Sequence, residues 1–444
     1  MDTTIQMDPA RILDVFGGKS ISRLLDVCKD SNTMPLNEWI HDWNAASPPL
    51  IPNGTKILLN DETLRDGLQN PSVYDPPIAE KIKILHLMEA LGLDSANIGL
   101  PGAGLRAFEH TEALAREIAA NRMRIKPNCA ARTHENDIRP IVEISQRAGI
   151  AIEAATFLGS SPIRRLVEDW TVDHLVRTTE HAVKFAVAHG LPCMYVTEDT
   201  VRTDPATVKR LYTTAVQNGA RAVVLCDTVG HATPQGAFNL VQFVIEQVVQ
   251  PSGEKIRVDW HGHNDRGLAV ANSLWALAAG ANSVHGAANA LGERVGNTPM
   301  ELMLVNLTLM GLIDRDLSRL KEYCDAVAAA THTTIPPNYP VIGRDAFRTA
   351  TGVHAAALIK AFKKGDIALA NSVYSGVPSH LFGLDQIIEI GPLSGKSNVL
   401  FWLERHKIPA DDAVVTRILE AAKNSARVLT DAELRALCAA APPH

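Results

Sequence analysis

The amino-acid sequence predicts an α/β fold: a (β/α)8 TIM barrel followed by a mostly helical C-terminal subdomain. Three observations lead there. From residue 55, short apolar runs alternate with longer stretches of helical periodicity. Eight such pairs fit before about residue 315, the length of one such barrel. Beyond that point the alternation stops, and helical stretches flank a Gly/Pro/Ser-rich middle, SGVPSHLFG and GPLSGKSN. Strands alternating with helices imply a parallel sheet, and a closed parallel barrel carries its chemistry at the C-terminal ends of its strands.

The eight strand candidates are TKILLNDE (55–62), DSANIGL (94–100), RIKPNCAAR (124–132), IAIEAATF (150–157), PCMYVTED (192–199), RAVVLCDT (221–228), IRVDWHGH (256–263) and SVHGAAN (283–289). Helix candidates between them include PIAEKIKILHLMEALG, VDHLVRTTEHAVKFAVAHG and PQGAFNLVQFVIEQVV. The expected division is an N-terminal extension (1–54) ending in the linker-like SPPLIPNG, a barrel (55–318) and a helical region (319–444) with no large regulatory domain after it.

With 46% hydrophobic and 21% charged residues in 444, the chain can bury a large core. Net charge is −6 and no Lys/Arg-rich run stands out, so nucleic acid and anionic membranes are not expected partners. No apolar run reaches the roughly 18 residues of a membrane span. The N-terminal MDTTIQMDPARILDVF lacks the basic-then-apolar pattern of a secretory signal. Six cysteines, Cys28, Cys129, Cys193, Cys226, Cys324 and Cys438, are scattered without a CxxC. Cys129, Cys193 and Cys226 lie in apolar strand-like runs and read as core residues. The expectation is a cytoplasmic protein without disulfides.

In IRVDWHGHN, Ile256, Val258 and Trp260 alternate with Arg257, Asp259, His261 and His263. A period of two is a strand, with each set on its own face. The apolar set packs under helices, and the polar set faces the barrel axis. His261 and His263 then point the same way and can share one divalent ion; two hydrogen-bonded histidines without a metal are the plainer alternative.

The first strand runs into DETLRDGLQNPS, crowded with Asp61, Glu62, Arg65, Asp66, Gln69 and Asn70. Asp66 can complete a two-His-one-carboxylate site with open positions, and Arg65 can neutralise an enolate or carboxylate. Thr228, after the sixth strand, can donate to a substrate carboxylate. In ALGERVGN, Gly292 and Gly296 permit a tight turn that presents Glu293 and Asn297.

DETLRDGLQ, HGHNDRGLAVANSLWALAAGA and GERVGN resemble the 2-isopropylmalate synthase and homocitrate synthase family, within the metal-dependent aldolase-type barrels that include HMG-CoA lyase. TGVHAAALIK and GPLSGKSNVL resemble that family's helical subdomain. The resemblance implies a divalent metal (Mg²⁺, Mn²⁺, Zn²⁺ or Co²⁺) held by Asp66, His261 and His263, with Asn297 counted beside it. It implies Arg65 at the developing alkoxide, and Gln69, Thr228 and Glu198 as substrate contacts. Glu293 is implied as an active-site acid, and His354 and Tyr374 as assistants in deprotonating acetyl-CoA. A homodimer is implied, each subdomain lending residues to its neighbour. The implied reaction is a Claisen-type condensation of acyl-CoA with a 2-oxo acid, then thioester hydrolysis. Two alternatives stay open: an HMG-CoA lyase-like carbon–carbon lyase, and a catalytically silent metabolite-binding barrel.

The chain departs from the pattern in several places. Leu68 stands where synthases usually have Glu, and RDGLQN is lyase-like. Yet ANALGERVGN has no cysteine where the lyase carries its catalytic one. Met194, Tyr195 and Val196 replace the Arg-Phe-Ser run of homocitrate synthases, which disfavours a dicarboxylic 2-oxo acid. Ala154, Ala155 and IGLPGAG suggest an enlarged pocket for an unusual substrate.

Overall fold

The computed structural model describes residues 40–439. Most of the expected N-terminal extension, Cys28 included, lies outside them. Two compact units result, Asn44–Thr334 and the segment from Ile335 onward.

In the first unit eight strands close into a barrel in sequence order: β1 Leu58–Asp61, β2 Ser95–Asn97, β3 Lys126–Arg132, β4 Glu153–Gly159, β5 Cys193–Glu198, β6 Ala222–Asp227, β7 Arg257–Gly262 and β8 Ser283–Gly286. All neighbours are parallel, and β1 closes the ring by pairing with both β2 (Asn60↔Ser95) and β8 (Leu58↔Ser283). Parallel closure buries both faces of every strand, so Leu59, Val258, Trp260 and Val284 are buried beneath the helices while their neighbours point inward.

The barrel helices are α1 Ile78–Ala90, α2 Leu105–Ala120, α3 Glu135–Ala148, α4 Pro162–Glu168, α5 Val172–Ala188, α6 Pro205–Gln217, α7 Pro234–Val244, α8 Ala269–Ala278, α9 Met300–Leu309 and α10 Leu320–Thr331. Several start where a capping side chain precedes a proline. Ser161, Asp204 and Thr233 each accept a backbone N–H from the first turn, and Pro follows at once. That pairing satisfies an orphan donor and presets φ. α7 continues through a π turn, Ile245–Val249.

The first unit runs past the expected boundary at 318. Tyr323 of α10 is buried and donates to Asp61 at the end of β1, and α10 packs on α1. The helix therefore belongs with the barrel.

The interior is split in character. On the β7–β8–β1–β2 side the inward residues are Arg257, Asp259, His261, His285, Asn60 and Glu62. On the β4–β5–β6 side they are Ala155, Met194, Ala222, Val224 and Cys226, one apolar cluster with Val196 against it.

The second unit is mostly helical: α11 Gly352–Lys363, α12 Ile367–Ser372, α13 Lys396–Arg405, α14 Asp412–Lys423 and α15 Asp431–Ala439. A short parallel pair, β9 Arg348–Thr349 and β10 Ile387–Ile388, joins them. Its core gathers Ile390, Val399, Trp402, Leu403, Val415 and Ile418. Among the described residues no helix is long and apolar enough to cross a membrane, and Cys129, Cys193, Cys226, Cys324 and Cys438 are free thiols.

Candidate active site

A cavity of about 280 Å³ opens at the C-terminal ends of the barrel strands, at the small end for a ligand pocket. Its polar wall holds Glu62, Arg65, Asp66, His261, His263 and His285; its apolar wall holds Leu100, Ala130, Ala155, Phe157, Met194 and Val196.

Asp66 arrives on the loop after β1. There Asp61 accepts the Thr63 N–H (2.8 Å), and the Gly67 N–H returns to the Glu62 carbonyl (3.0 Å). His261 and His263 come from β7 and the residue just beyond it, with ring centroids 5.3 Å apart. The Asp66 carboxylate lies 3.5 Å from His261 Nε2 and accepts from Arg65 Nη1 (3.0 Å) and Asn297 Nδ2 (3.2 Å). Asn297 Nδ2 also donates to the Leu291 carbonyl (2.8 Å). The GERVGN turn is stitched to the histidine strand: Thr298 N–H to Gly262 O (2.9 Å) and Asn264 N–H to Gly296 O (2.9 Å). Gly296, at φ +84°, allows this, since a Cβ there would sit 1.5 Å from the Ala290 carbonyl oxygen.

Burial alone would raise the Asp66 pKa, but the Arg65 charge and the His261 contact hold it far below the usual carboxylate range. Burial and the neighbouring His261 push His263 down to about 4, which keeps its imidazole neutral, the form that binds metals. Potential ligand atoms of Asp66, His261 and His263 all lie within 4.8 Å of one another. His263 Nδ1 and Asn297 Oδ1 are buried without a hydrogen-bond partner. A carboxylate–bis-imidazole set with orphaned buried donor atoms fits a divalent cation.

Gln69 lines the cavity, its Oε1 3.5 Å from Arg65 Nη1. Thr228 Oγ1 accepts the Asp199 N–H (2.8 Å), so its own hydroxyl hydrogen stays free to donate into the cavity. Glu198 faces the apolar wall, and burial raises its pKa. Glu293 stands at the exposed rim. Arg294 beside it pairs with Asp265 (2.9 Å), whereas its approach to Glu293 is 4.0 Å. His354 and Tyr374 belong to the second unit, where their rings lie 4.1 Å apart. Ala154 and Tyr195, grouped with the pocket residues on sequence alone, face outward. The Tyr195 hydroxyl meets Thr179 on α5 (2.6 Å), because strand parity sends only Ala155, Met194 and Val196 inward.

The sequence pattern gave no reason to single out His285, and Glu62 and Asp259 went unassigned. All three are buried, and Glu62 and His285 line the cavity. His285 Nδ1 faces Glu62 Oε1 (3.3 Å) and its Nε2 faces Asp259 Oδ2 (3.3 Å). Burial opposes its charge, but the two carboxylates raise its pKa to about 9. The one available signal was that His285 shares inward parity on its strand.

Fold and cluster together define the class: a TIM barrel with a carboxylate–bis-histidine cluster and a guanidinium at its strand ends. The chain belongs to the HMGL-like family, whose pattern matches residues 56–327. It is 29% identical over 370 residues to a homocitrate synthase, AksA, of Methanopyrus kandleri, covering 83% of this chain and 87% of that one. It is 33% identical over 309 residues to a probable 2-isopropylmalate synthase of the same organism, covering 69% of this chain and 58% of that one. The crystal structure of a Bacillus subtilis HMG-CoA lyase superposes with TM-score 0.55 at 20% identity, over 64% of this chain and 97% of that one.

Proposed function

We propose that the barrel condenses an acyl-CoA, acetyl-CoA in the simplest case, with a 2-oxo acid, and then hydrolyses the thioester to release CoA. The observation that carries this reading is the convergence of Asp66, His261 and His263 with Arg65 beside an apolar wall. A divalent cation held by that trio, Mg²⁺, Mn²⁺, Zn²⁺ or Co²⁺, would supply Lewis acidity to the keto and carboxylate oxygens. Arg65 donates to the oxygen that gains charge as the carbon–carbon bond forms. Thr228 holds the carboxylate of the 2-oxo acid, with Gln69 beside it. The 2-oxo acid's side chain lies against Ala155, Met194 and Val196, with Glu198 at the edge of that wall. Among the described residues, no Arg or Lys stands with Ala155, Met194 and Val196 to meet a second carboxylate. Glu293 at the rim acts as an acid toward the incoming thioester. His354 and Tyr374 would assist proton removal from the acyl-CoA methyl, lent by the subdomain of a neighbouring subunit in a homodimer. The free cysteines, of which Cys129, Cys193, Cys226 and Cys324 are buried, suit a reducing cytoplasm.

A lyase reading has one observation in its favour, the RDGLQN stretch around Arg65 and Asp66. The test is CoA release from acetyl-CoA with Mg²⁺ or Mn²⁺ across a panel of 2-oxo acids, with HMG-CoA cleavage run alongside. The expected result is release that depends on a 2-oxo acid with an apolar side chain and disappears in His261→Ala. Acetyl-CoA formed from a 3-hydroxyacyl-CoA, without condensation, would establish the lyase. No turnover in either direction, with metal bound, would leave a metabolite-binding barrel.

A further inference from the structure

A chain of alternating charges runs through the barrel interior from its base to the cavity. Glu153 pairs with Arg257 (2.8 Å), and Arg257 with Asp259 (2.9 Å). Asp259 meets His285 Nε2, and His285 Nδ1 meets Glu62 (both 3.3 Å). Glu62 then takes Arg65 Nη2 on its other oxygen (2.5 Å), while Asn60 Nδ2 donates to Oε1 (2.7 Å). Every link between Asp259 and Glu62 is buried.

Potential ligand atoms of Glu62, His261 and His285 also lie within 4.8 Å of one another, which would allow a second cation. The geometry disfavours one. Both ring nitrogens of His285 already face carboxylates, both Glu62 oxygens are engaged, and the Arg65 guanidinium sits against them. A metal there would displace a held cation.

The far end of the chain explains its purpose. Arg65 is gripped at Nη1 by Asp66 (3.0 Å) and at Nη2 by Glu62. Its Nε is buried without a partner, although the side chain lines the cavity. A guanidinium gripped at both terminal nitrogens is held in one orientation.

We infer that Glu62, His285 and Asp259 are positioning residues, a carboxylate–imidazole–carboxylate strut that fixes the orientation of the Arg65 guanidinium at the cavity wall, where Arg65 meets the reacting oxygen of the substrate. Its kinetic test alone rests on the condensation reading.

A double-mutant cycle tests it. A group misplaced by about 1 Å costs on the order of 100-fold, so Glu62→Gln should lower kcat by about 10- to 100-fold with KM for the 2-oxo acid little changed. In an Arg65→Gln background the same substitution should cost almost nothing further, because Glu62 acts through Arg65. Equal losses in the two backgrounds would overturn the inference. So would loss of a bound Mn²⁺ in His285→Gln, since that residue would then be a ligand. A readout independent of turnover is the Arg65 Nε–H resonance in ¹⁵N NMR. It should be sharp in the parent protein and shift or broaden in Glu62→Gln and in Asp259→Asn. An unmoved resonance overturns the strut even if no substrate is ever found, and a moved one sustains it even if the condensation reading fails. Should Glu62→Gln not fold, Asp259→Asn carries both tests from further down the chain.

Discussion

Gly292→Ala is the sharpest probe of how the Asp66–His261–His263 cluster is assembled. Gly292 has φ +145°, and a Cβ there would lie 2.3 Å from Asn297 Nδ2 and 3.2 Å from Asp66 Oδ1. Asn297 has to move, and with it goes the 3.2 Å hydrogen bond to Asp66. Partners that orient metal ligands typically contribute about 10- to 100-fold in affinity. The variant should therefore bind Mn²⁺ about 1.4 to 3 kcal/mol more weakly. The backbone carries a separate cost of about 1 to 3 kcal/mol for a side chain in this region of φ/ψ space, which lowers the stability of the metal-free protein. Gly253→Ala separates the two effects. Gly253 has φ +66° and nothing within 4 Å of its would-be Cβ, so it should lose about 1 kcal/mol of stability and leave metal affinity alone. Calorimetric Mn²⁺ titration and urea unfolding of the metal-free variants measure both. Unchanged Mn²⁺ affinity in Gly292→Ala would refute the role given to Asn297 and, with it, the assembled geometry of the cluster.

Asp61 gives a pH prediction. Burial outweighs its hydrogen bonds from Thr63 and Tyr323 and raises its pKa from 3.8 to about 6. An acid with a raised folded-state pKa takes up a proton on folding, so its contribution to stability is greatest at low pH and is lost as pH rises from about 4 to 6. Measured by urea unfolding at several pH values, wild type should lose up to about 3 kcal/mol relative to Asp61→Asn across that window; a pH-independent difference would contradict this. Ala155→Leu fills the apolar wall of the cavity. It should cut kcat/KM for the bulkiest accepted 2-oxo acid by about tenfold or more relative to pyruvate, and an unchanged ratio would remove that wall from the substrate site.

Much of this architecture was legible along the chain, because it rests on local rules. Period-two alternation in IRVDWHGHN is enough to put His261 and His263 on one inward face, and a Ser, Asp or Thr before Pro is enough to start a helix. Strand runs spaced by helical stretches are enough to require a parallel barrel, whose ends collect the polar loops. The sequence by itself thus determined the element order and the Asp66, His261 and His263 set, from motif spacing and resemblance. What it could not determine was anything that depends on which strand stands beside which, and at what height. Asn297 reaches Asp66 across 231 residues, and Arg257 reaches Glu153 across 104. Glu62, Asp259 and His285 come from three different strand ends and strand middles, so no local pattern joins them. Nor could composition say that α10 packs against the barrel with Tyr323 donating to Asp61. Those facts follow from the closure of β8 onto β1, which sets the register of the ring. Only that closure brings the buried charges close enough to offset the cost of taking them out of water.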